Sequence, residues 1–473
     1  MTGPRQAAAL CELIGAWLPR QRWFAAKGGQ DPVLEFSGGL RLHRPSGSAP
    51  GVTVHFVSAT VGGTRATYQL PLTYHPQPVP ELEHALIGVL DTEEEPLWVY
   101  DGPHDPAFVR DWLALVATGA EALADEGPAG GRAVGVRQPG ATVPDLDRPA
   151  RVLSGEQSNT SVIVGGDGDP DPVILKVFRI VQPGANPDVA VPSVLTGAGC
   201  GRIPRLTGWI EGEWVEPDGG RAHGHLTSVS EFLPGSLDAW RLACVAIENG
   251  ESFTGQARGI GEATAAVHAA LAESLPSTPG DPGTLAALAD HLQQRLSWAL
   301  EAVPALHPHA EAAWRTVEAV RRLPSPPRLQ RIHGDLHLGQ VLDAGPRGWV
   351  LLDFEGEPLR PLDDRNRPDL ALRDIAGMLR SFDYAARHAL LGLDGSDPRV
   401  AAADSWAAEA AQAFLDAYAA TVGHDPREDE VLLRALELDK ALYEAVYETR
   451  NRPTWVQIPY SAVTRLLAPA GHG

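Results

Sequence analysis

The chain has 473 residues, 44% of them hydrophobic and 21% charged, which is the composition of an ordinary folded protein with material for about three lobes. Its 39 basic against 60 acidic residues give a net charge of −21, and no basic run relieves it, which argues against nucleic acid and anionic membranes as partners. Cys11, Cys200 and Cys244 form no CxxC pair or zinc spacing. No window reaches the roughly 18–20 apolar residues of a membrane span, and Arg20 and Arg22 follow rather than precede the apolar N-terminal stretch, so no signal peptide is expected and a reducing cytoplasm is.

Helical spacing over residues 5–18 leads into Gln21-Arg22-Trp23-Phe24-Ala25-Ala26-Lys27-Gly28, where Trp23 and Phe24 read as core anchors. Alternation in Val52-Thr53-Val54-His55-Phe56-Val57 predicts strands, and the first ninety residues a small β-rich unit. Residues 105–124 have helical spacing, whereas 127–148, rich in Gly, Pro and Asp, read as a linker. Apolar runs at 161–164 and 173–178 flank a Gly/Asp/Pro turn and predict a strand hairpin. From about residue 236 helical periodicity dominates, as at 260–271 and 285–302.

Chemistry concentrates in Ile332-His333-Gly334-Asp335-Leu336-His337-Leu338-Gly339-Gln340, followed by the apolar run 349–352 that delivers Asp353-Phe354-Glu355. Phosphoryl transfer needs a carboxylate to orient the attacking hydroxyl and oxygen ligands for the metal on the nucleotide phosphates. A kinase catalytic loop places its Asp five residues before an amide metal ligand and follows it with a strand ending in a second Asp, the order kept by Asp335, Gln340 and Asp353. His333 and His337 share the i, i+4 spacing of zinc ligands on a helix, but Gly334 and Gly339 oppose a helix there. His333 is expected to hold the loop by hydrogen bonds, and the role of His337 stays open. Upstream, Lys176 lies inside the apolar run 173–178, where it needs an anion such as phosphate, unless it faces outward from an edge strand. The small polar residues of 153–161, among them Ser158, Asn159 and Thr160, either cover phosphates or form a plain hairpin.

Toward the C-terminus, Ile375, Met378, Leu379 and Phe382 mark an amphipathic helix whose Arg373 and Asp374 either brace the catalytic loop or form a solvated pair. Lys440, Glu444 and Glu448 then step by four beside Tyr443 and Tyr447, before Arg450-Asn451-Arg452-Pro453-Thr454-Trp455. Carboxylates beside aromatic faces suit a neutral sugar; the same spacing also suits an exposed helix with Lys/Glu pairs.

The segments HGDLHLGQVL and LLDFEGEP resemble the aminoglycoside phosphotransferase and choline kinase group, and residues 21–28, 156–161, 175–179, 183–188, 208–212, 372–386 and 437–459 together resemble the actinobacterial maltokinases. The resemblance implies an α+β, bilobal protein kinase-like fold. Residues 1–90 would be an N-terminal cap subdomain, 91–233 an intermediate subdomain completing the nucleotide-binding lobe, and 234–473 a mostly helical lobe with the catalytic loop and sugar site. It implies transfer of the γ-phosphoryl group of ATP, with Mg2+, to the anomeric hydroxyl of maltose, giving maltose 1-phosphate for α-glucan made from trehalose, and an association with trehalose synthase. Asp335 would be the base, Gln340 and Asp353 the metal ligands, and Lys176, Ser158, Asn159 and Thr160 phosphate contacts. Glu231 and Leu233 would form the adenine hinge, and His337, Tyr443, Glu444, Glu448 and Trp455 would join Asp335 on the sugar. Monomer and homodimer remain open, as do a kinase of the same fold acting on glucosamine and a catalytically silent scaffold. One position departs from the pattern: where a glutamate is expected to pair with Lys176, the chain reads Val189-Ala190-Val191, so either Glu156 or Asp188 substitutes or nucleotide affinity is reduced.

Overall fold

The N-terminal helical pattern becomes α1 (Pro4–Trp17), which leads to Trp23 and Phe24, both buried in a core with Tyr68, Leu70 and Val99. The computed structural model describes residues 4–24, 32–47, 49–93, 95–124, 131–142, 145–153, 158–166, 168–216, 218–324, 326–357, 360–393 and 397–468. Lys27 of the N-terminal motif and residues 154–157 of the polar loop, Glu156 included, lie outside the described residues. Backbone contacts divide the chain into two units, one of residues 1–193 and 204–234, the other of residues 194–203 and 235–473.

The first unit is built on two antiparallel sheets. In chain order it continues with β1 (Val33–His43), β2 (Gly51–Val61), β3 (Thr64–His75), β4 (Leu86–Leu90), β5 (Leu97–Asp101), α2 (Pro106–Thr118), β6 (Glu121–Leu123), β7 (Arg132–Arg137), β8 (Ala150–Val152), β9 (Thr160–Val164), β10 (Val173–Val177), β11 (Ile180–Val181), α3 (Pro187–Gly197, of which residues 194–197 count with the second unit), β12 (Leu206–Val215) and β13 (Arg221–Glu231). One sheet runs β1-β2-β3-β5-β4, with β11 pairing β3; the other runs β6-β7-β12-β13-β10-β9-β8. The predicted hairpin is β9–β10, with Val164 opposite Val173. Two expectations are corrected. The helix expected over 105–124 stops at Gly119, which takes the left-handed conformation (φ 68°), and Glu121–Leu123 turns into a strand. The expected linker contains β7, which pairs with β12; a Cβ on its Gly135 would collide with the Leu115 carbonyl, so glycine lets α2 lie on this strand.

The second unit is mainly helical: β14 (Leu237–Asp238), α4 (Ala239–Asn249), α5 (Thr254–Ser274), α6 (Pro282–Ala302), α7 (Ala310–Val320), β15 (Leu329–Gln330), β16 (Val341–Asp343), β17 (Trp349–Leu351), α8 (Leu362–Arg365), β18 (Asp369–Leu370), α9 (Ala371–His388), α10 (Pro398–Val422), α11 (Glu430–Asn451) and α12 (Gln457–Leu467). Its small sheet has the order β14-β16-β17, and β15 pairs β18. Leu438, Leu442 and Val446 of α11 pack with Leu296 of α6 and Val463 of α12, each contributing roughly 1.5–3 kcal/mol by leaving water. Among the described residues no helix is long and apolar enough to cross a membrane.

Candidate active site

The antiparallel hairpin β16–β17 brings the two predicted metal ligands together, because Gln340 precedes its first strand and Asp353 follows its second. The Leu352 N–H donates to the Gln340 carbonyl at 2.8 Å, and Gln340 Nε2 donates to Asp353 Oδ2 at 3.1 Å. With its N–H turned to Asp353, Gln340 offers a cation its amide oxygen. Asp353 has φ 59°, a left-handed conformation that a non-glycine residue adopts only under constraint, which is common where a side chain must be aimed at a ligand. An amide oxygen next to a carboxylate is the hard donor set that Mg2+ takes.

The loop from Ile332 is irregular until a short 3-10 helix at Leu338–Gln340, and its two histidines serve its backbone. His333 Nε2 donates to the Leu352 carbonyl at 2.7 Å, while its Nδ1 accepts the Asp335 N–H at 3.3 Å. His337 Nδ1 accepts the Gly339 N–H at 3.1 Å. Asp374, buried in the first turn of α9, accepts the N–H groups of His333 and Gly334, both at 2.8 Å, and a third bond from His268 Nε2 at 2.9 Å. Of the two readings open for Asp374, the brace is the one the geometry supports. Arg373 turns to Asp369 and Asp439 instead. A Cβ on Gly377 would stand 2.5 Å from the Leu336 carbonyl oxygen, so this glycine lets α9 rest on the loop, and Ser381 Oγ takes the Leu338 N–H at 3.0 Å.

Asp335 faces α11. Lys440 Nζ lies 2.7 Å from its Oδ1. Burial would raise the Asp335 pKa, but the ammonium outweighs it, with help from His337, and holds the carboxyl at about 2. For Lys440 burial works toward neutrality and Asp335 more than reverses it, so the ammonium stays charged well above its usual range. The pair opens onto a cavity of about 420 Å³ formed within the second unit. Its walls include His337, Tyr443, Glu444, Glu448 and Trp455, every sugar-side residue predicted beside Asp335. Glu444 Oε2 is 2.6 Å from Arg380 Nη2; burial raises the Glu444 pKa and Arg380 opposes that. Glu448, 2% exposed, accepts from Tyr384 Oη at 2.7 Å and from Arg452 Nη2 at 2.7 Å and Nε at 2.9 Å. Arg452 also covers the Trp455 ring, 4.2 Å from its centroid.

Sequence reasoning missed Trp240, Ser381, Tyr384 and Arg452 on the same walls, and did not see Lys440 as the partner of Asp335. Ser381, Tyr384 and His388 follow one face of α9, a register that would have flagged Tyr384; nothing around Trp240 marks it. Each cavity-wall carboxylate therefore has a cation: Asp335 has Lys440, Glu444 has Arg380 and Glu448 has Arg452. Five aromatic rings, Trp240, Tyr384, Tyr443, Tyr447 and Trp455, complete the lining.

In the first unit, Lys176 projects from β10, between β9 and β13, and its Nζ is 3.0 Å from Asp188 Oδ2 at the start of α3. Asp188 thus supplies the acid missing at Ala190. Asn159 Nδ2 donates to Ser158 Oγ at 3.2 Å, whereas Thr160 Oγ1 accepts from Arg179 Nε at 2.8 Å. Arg179 also pairs with Asp101 and stacks on Trp23, so Thr160 belongs to a buried polar cluster under the N-terminal sheet. At the predicted hinge, the N–H groups of Glu231 and Phe232 donate to the carbonyls of Arg205 and Pro172, and the Glu231 carboxylate accepts from Arg205.

Residues 17–105 match the maltokinase N-terminal cap domain and residues 149–356 the phosphotransferase enzyme family. A glucosamine kinase of Streptacidiphilus jiangxiensis is 31% identical over 333 residues, 66% of this chain and 72% of that protein. A glucosamine kinase of Mycolicibacterium smegmatis is 31% identical over 335 residues, 68% of this chain and 80% of that protein. Among solved structures, a glucosamine kinase superposes with a TM-score of 0.68 at 25% identity, covering 96% of this chain and 99% of that one. The fold is also that of a glucosamine kinase solved with glucosamine, ADP and inorganic phosphate, with a TM-score of 0.64, 24% identity, and coverage of 97% of this chain and 99% of that one.

Proposed function

Since this chain belongs to the phosphotransferase enzyme family and carries the maltokinase N-terminal cap, we propose that it is a sugar kinase transferring the γ-phosphoryl group of ATP to the anomeric hydroxyl of maltose. The observation that carries the sugar assignment is the charge-matched, aromatic-lined cavity at Asp335. A neutral saccharide can use its paired carboxylates as hydrogen-bond acceptors and lay its C–H faces on the rings. An ammonium-bearing sugar would need a carboxylate with charge to spare, and Arg380, Lys440 and Arg452 already answer the three present. Glucosamine is the second reading, favoured by the names of the relatives.

The sugar hydroxyl donates to Asp335. A carboxylate held at about 2 is a weak base, so it orients the nucleophile and accepts the proton late, as the O–P bond forms, which suits a loose phosphoryl-transfer transition state. Lys440 keeps that carboxylate ionised and aimed, and Asp374 fixes the backbone that carries it. Gln340 and Asp353 would hold Mg2+, whose charge neutralises the nucleotide phosphates. Lys176, steadied by Asp188, would contact those phosphates together with Ser158 and Asn159, and the Glu231–Leu233 backbone would meet adenine. Three free thiols fit a cytoplasmic setting, and a trehalose synthase would supply the maltose.

The test is a panel of maltose, glucose, glucosamine and trehalose with ATP and Mg2+, with Asp335→Asn as control. Turnover of maltose to the 1-phosphate, lost in the variant, supports the proposal. Turnover of glucosamine alone moves the substrate to the second reading, and turnover of none removes both sugar readings.

A further inference from the structure

A second open cavity in the same unit, about 620 Å³, lies among α9, α11, α12 and the turn before α11, and neither Asp335 nor any aromatic wall of the sugar cavity borders it. Four arginines line it: Arg380, Arg427, Arg434 and Arg465. Their carboxylate partners are unevenly shared. Arg427 is matched by Asp416 and Asp425. Asp383 alone serves Arg380 at 2.6 Å, Arg387 at 3.2 Å and Arg465, and the second partners of Arg380 and Arg387, Glu444 and Asp404, stand outside the cavity. Arg434 donates to the backbone carbonyls of Leu466 and Ala468, at 2.8 and 3.2 Å, and among the described residues has no carboxylate partner. One turn along α11 from Arg434, Glu437 enters the same cavity and makes no hydrogen bond or salt bridge among the described residues. Leu379, Leu433 and Leu466 supply an apolar floor.

We propose that this cavity is a binding site for a phosphate monoester, with Arg434 and Arg465 on the phosphate oxygens, Glu437 beside them, and the leucine floor against the organic body. Guanidinium groups are the side chains suited to phosphate oxygens, and an arginine held only by carbonyls keeps its charge uncompensated for a ligand. Burial pushes the Glu437 carboxyl up to about 7, with Arg380 and Arg434 opposing and Asp383 adding to the rise. The charged groups that face it are therefore Arg380 and Asp383 from α9, Arg434 and Glu430 from α11, Arg465 from α12 and Arg427 from the preceding turn. Below pH about 7 Glu437 is an O–H donor; above it, a carboxylate that repels the ligand. The site is independent of the kinase assignment, although the product of a sugar kinase belongs to the ligand class.

The experiment is calorimetric titration of the full chain with α-glucose 1-phosphate, without ATP or acceptor sugar, and with inorganic sulfate, whose charge is constant near neutrality, as second probe. Saturable binding of both is expected, weakened at least about tenfold by Arg434→Gln, since each charge-assisted hydrogen bond to a charged group is worth about 1.5–3 kcal/mol. Sulfate affinity should fall from about pH 6.5 to 8.5 in the wild type and stay level in Glu437→Gln, which keeps the neutral shape and guards against a folding artefact in the arginine variant. Equal affinity in wild type and Arg434→Gln, loss of binding when maltose is added, or no saturable heat at millimolar ligand overturns the proposal. Because no turnover is measured, a failed kinase assay leaves this result standing, and the reverse holds too.

Discussion

Replacing Lys440 with methionine isolates what the ammonium does for Asp335. The two side chains are 22% and 20% exposed and 2.7 Å apart, and the carboxyl sits at about 2 rather than at its ordinary 3.8. That difference is worth ~2.5 kcal/mol, at about 1.4 kcal/mol per pH unit. Because the folded pKa is depressed, the pair stabilises the fold fully above 3.8 and loses its contribution as the pH falls from there through 2. In Lys440→Met the burial that favours the neutral acid acts without its main opponent, so the carboxyl climbs past 3.8. The assay is kcat against pH between about 3.5 and 8.5, with both substrates saturating. Wild type should be flat on the acid side. Lys440→Met should gain an acid limb displaced upward by at least about two pH units, and Lys440→Arg should keep the wild-type shape. A methionine variant with no acid limb would refute the claim that Lys440 sets the ionisation of the reacting carboxylate.

Asp374→Ala strands two loop N–H groups and His268, and should cost about 3–5 kcal/mol, lowering the melting transition by roughly 6–15 °C and kcat with it; scanning calorimetry and steady-state rates check this. Arg380→Met leaves Glu444 buried without its cation, so the carboxyl protonates more readily and the sugar KM rises about tenfold or more while the KM for ATP holds; partial recovery in Arg380→Lys separates charge from packing. Asp188→Ala removes the carboxylate 3.0 Å from Lys176 and should raise the KM for ATP about tenfold with the sugar KM unchanged, read from initial rates at varied nucleotide. Trp455→Leu removes an aromatic wall and should weaken sugar binding by about 1–2 kcal/mol, read by titration in the absence of ATP.

What could be read in the sequence was whatever one element holds by itself. The catalytic loop and the strand after it keep a fixed spacing because one hairpin joins Gln340 to Asp353. Lys440, Glu444 and Glu448 were visible because a four-residue step stays on one helical face. Residues that reach a site from another element left no such mark: Trp240 comes from α4 and Arg452 from just beyond α11. Asp374 was ambiguous for the same reason, since a carboxylate beside an arginine looks identical whether it faces water or two backbone amides. The strand β7 was hidden by its Gly- and Pro-rich surroundings; its Gly135 marks the close approach of α2, a tertiary fact that composition reads as looseness.

Five of the cavity walls, Lys440, Tyr443, Glu444, Tyr447 and Glu448, belong to α11 alone, whereas the loop, its brace and the residues assigned to the metal sit on other elements. Apart from Lys440, the partner of Asp335, the α11 residues proposed for the sugar and those proposed for phosphoryl transfer thus lie on separate stretches of chain. On that reading Tyr443, Glu444, Tyr447 and Glu448 of one 22-residue helix can vary while Lys440 and the elements assigned to the donor stay as they are. Exchanging those four positions with Lys440 kept is then the shortest route to a designed change of acceptor.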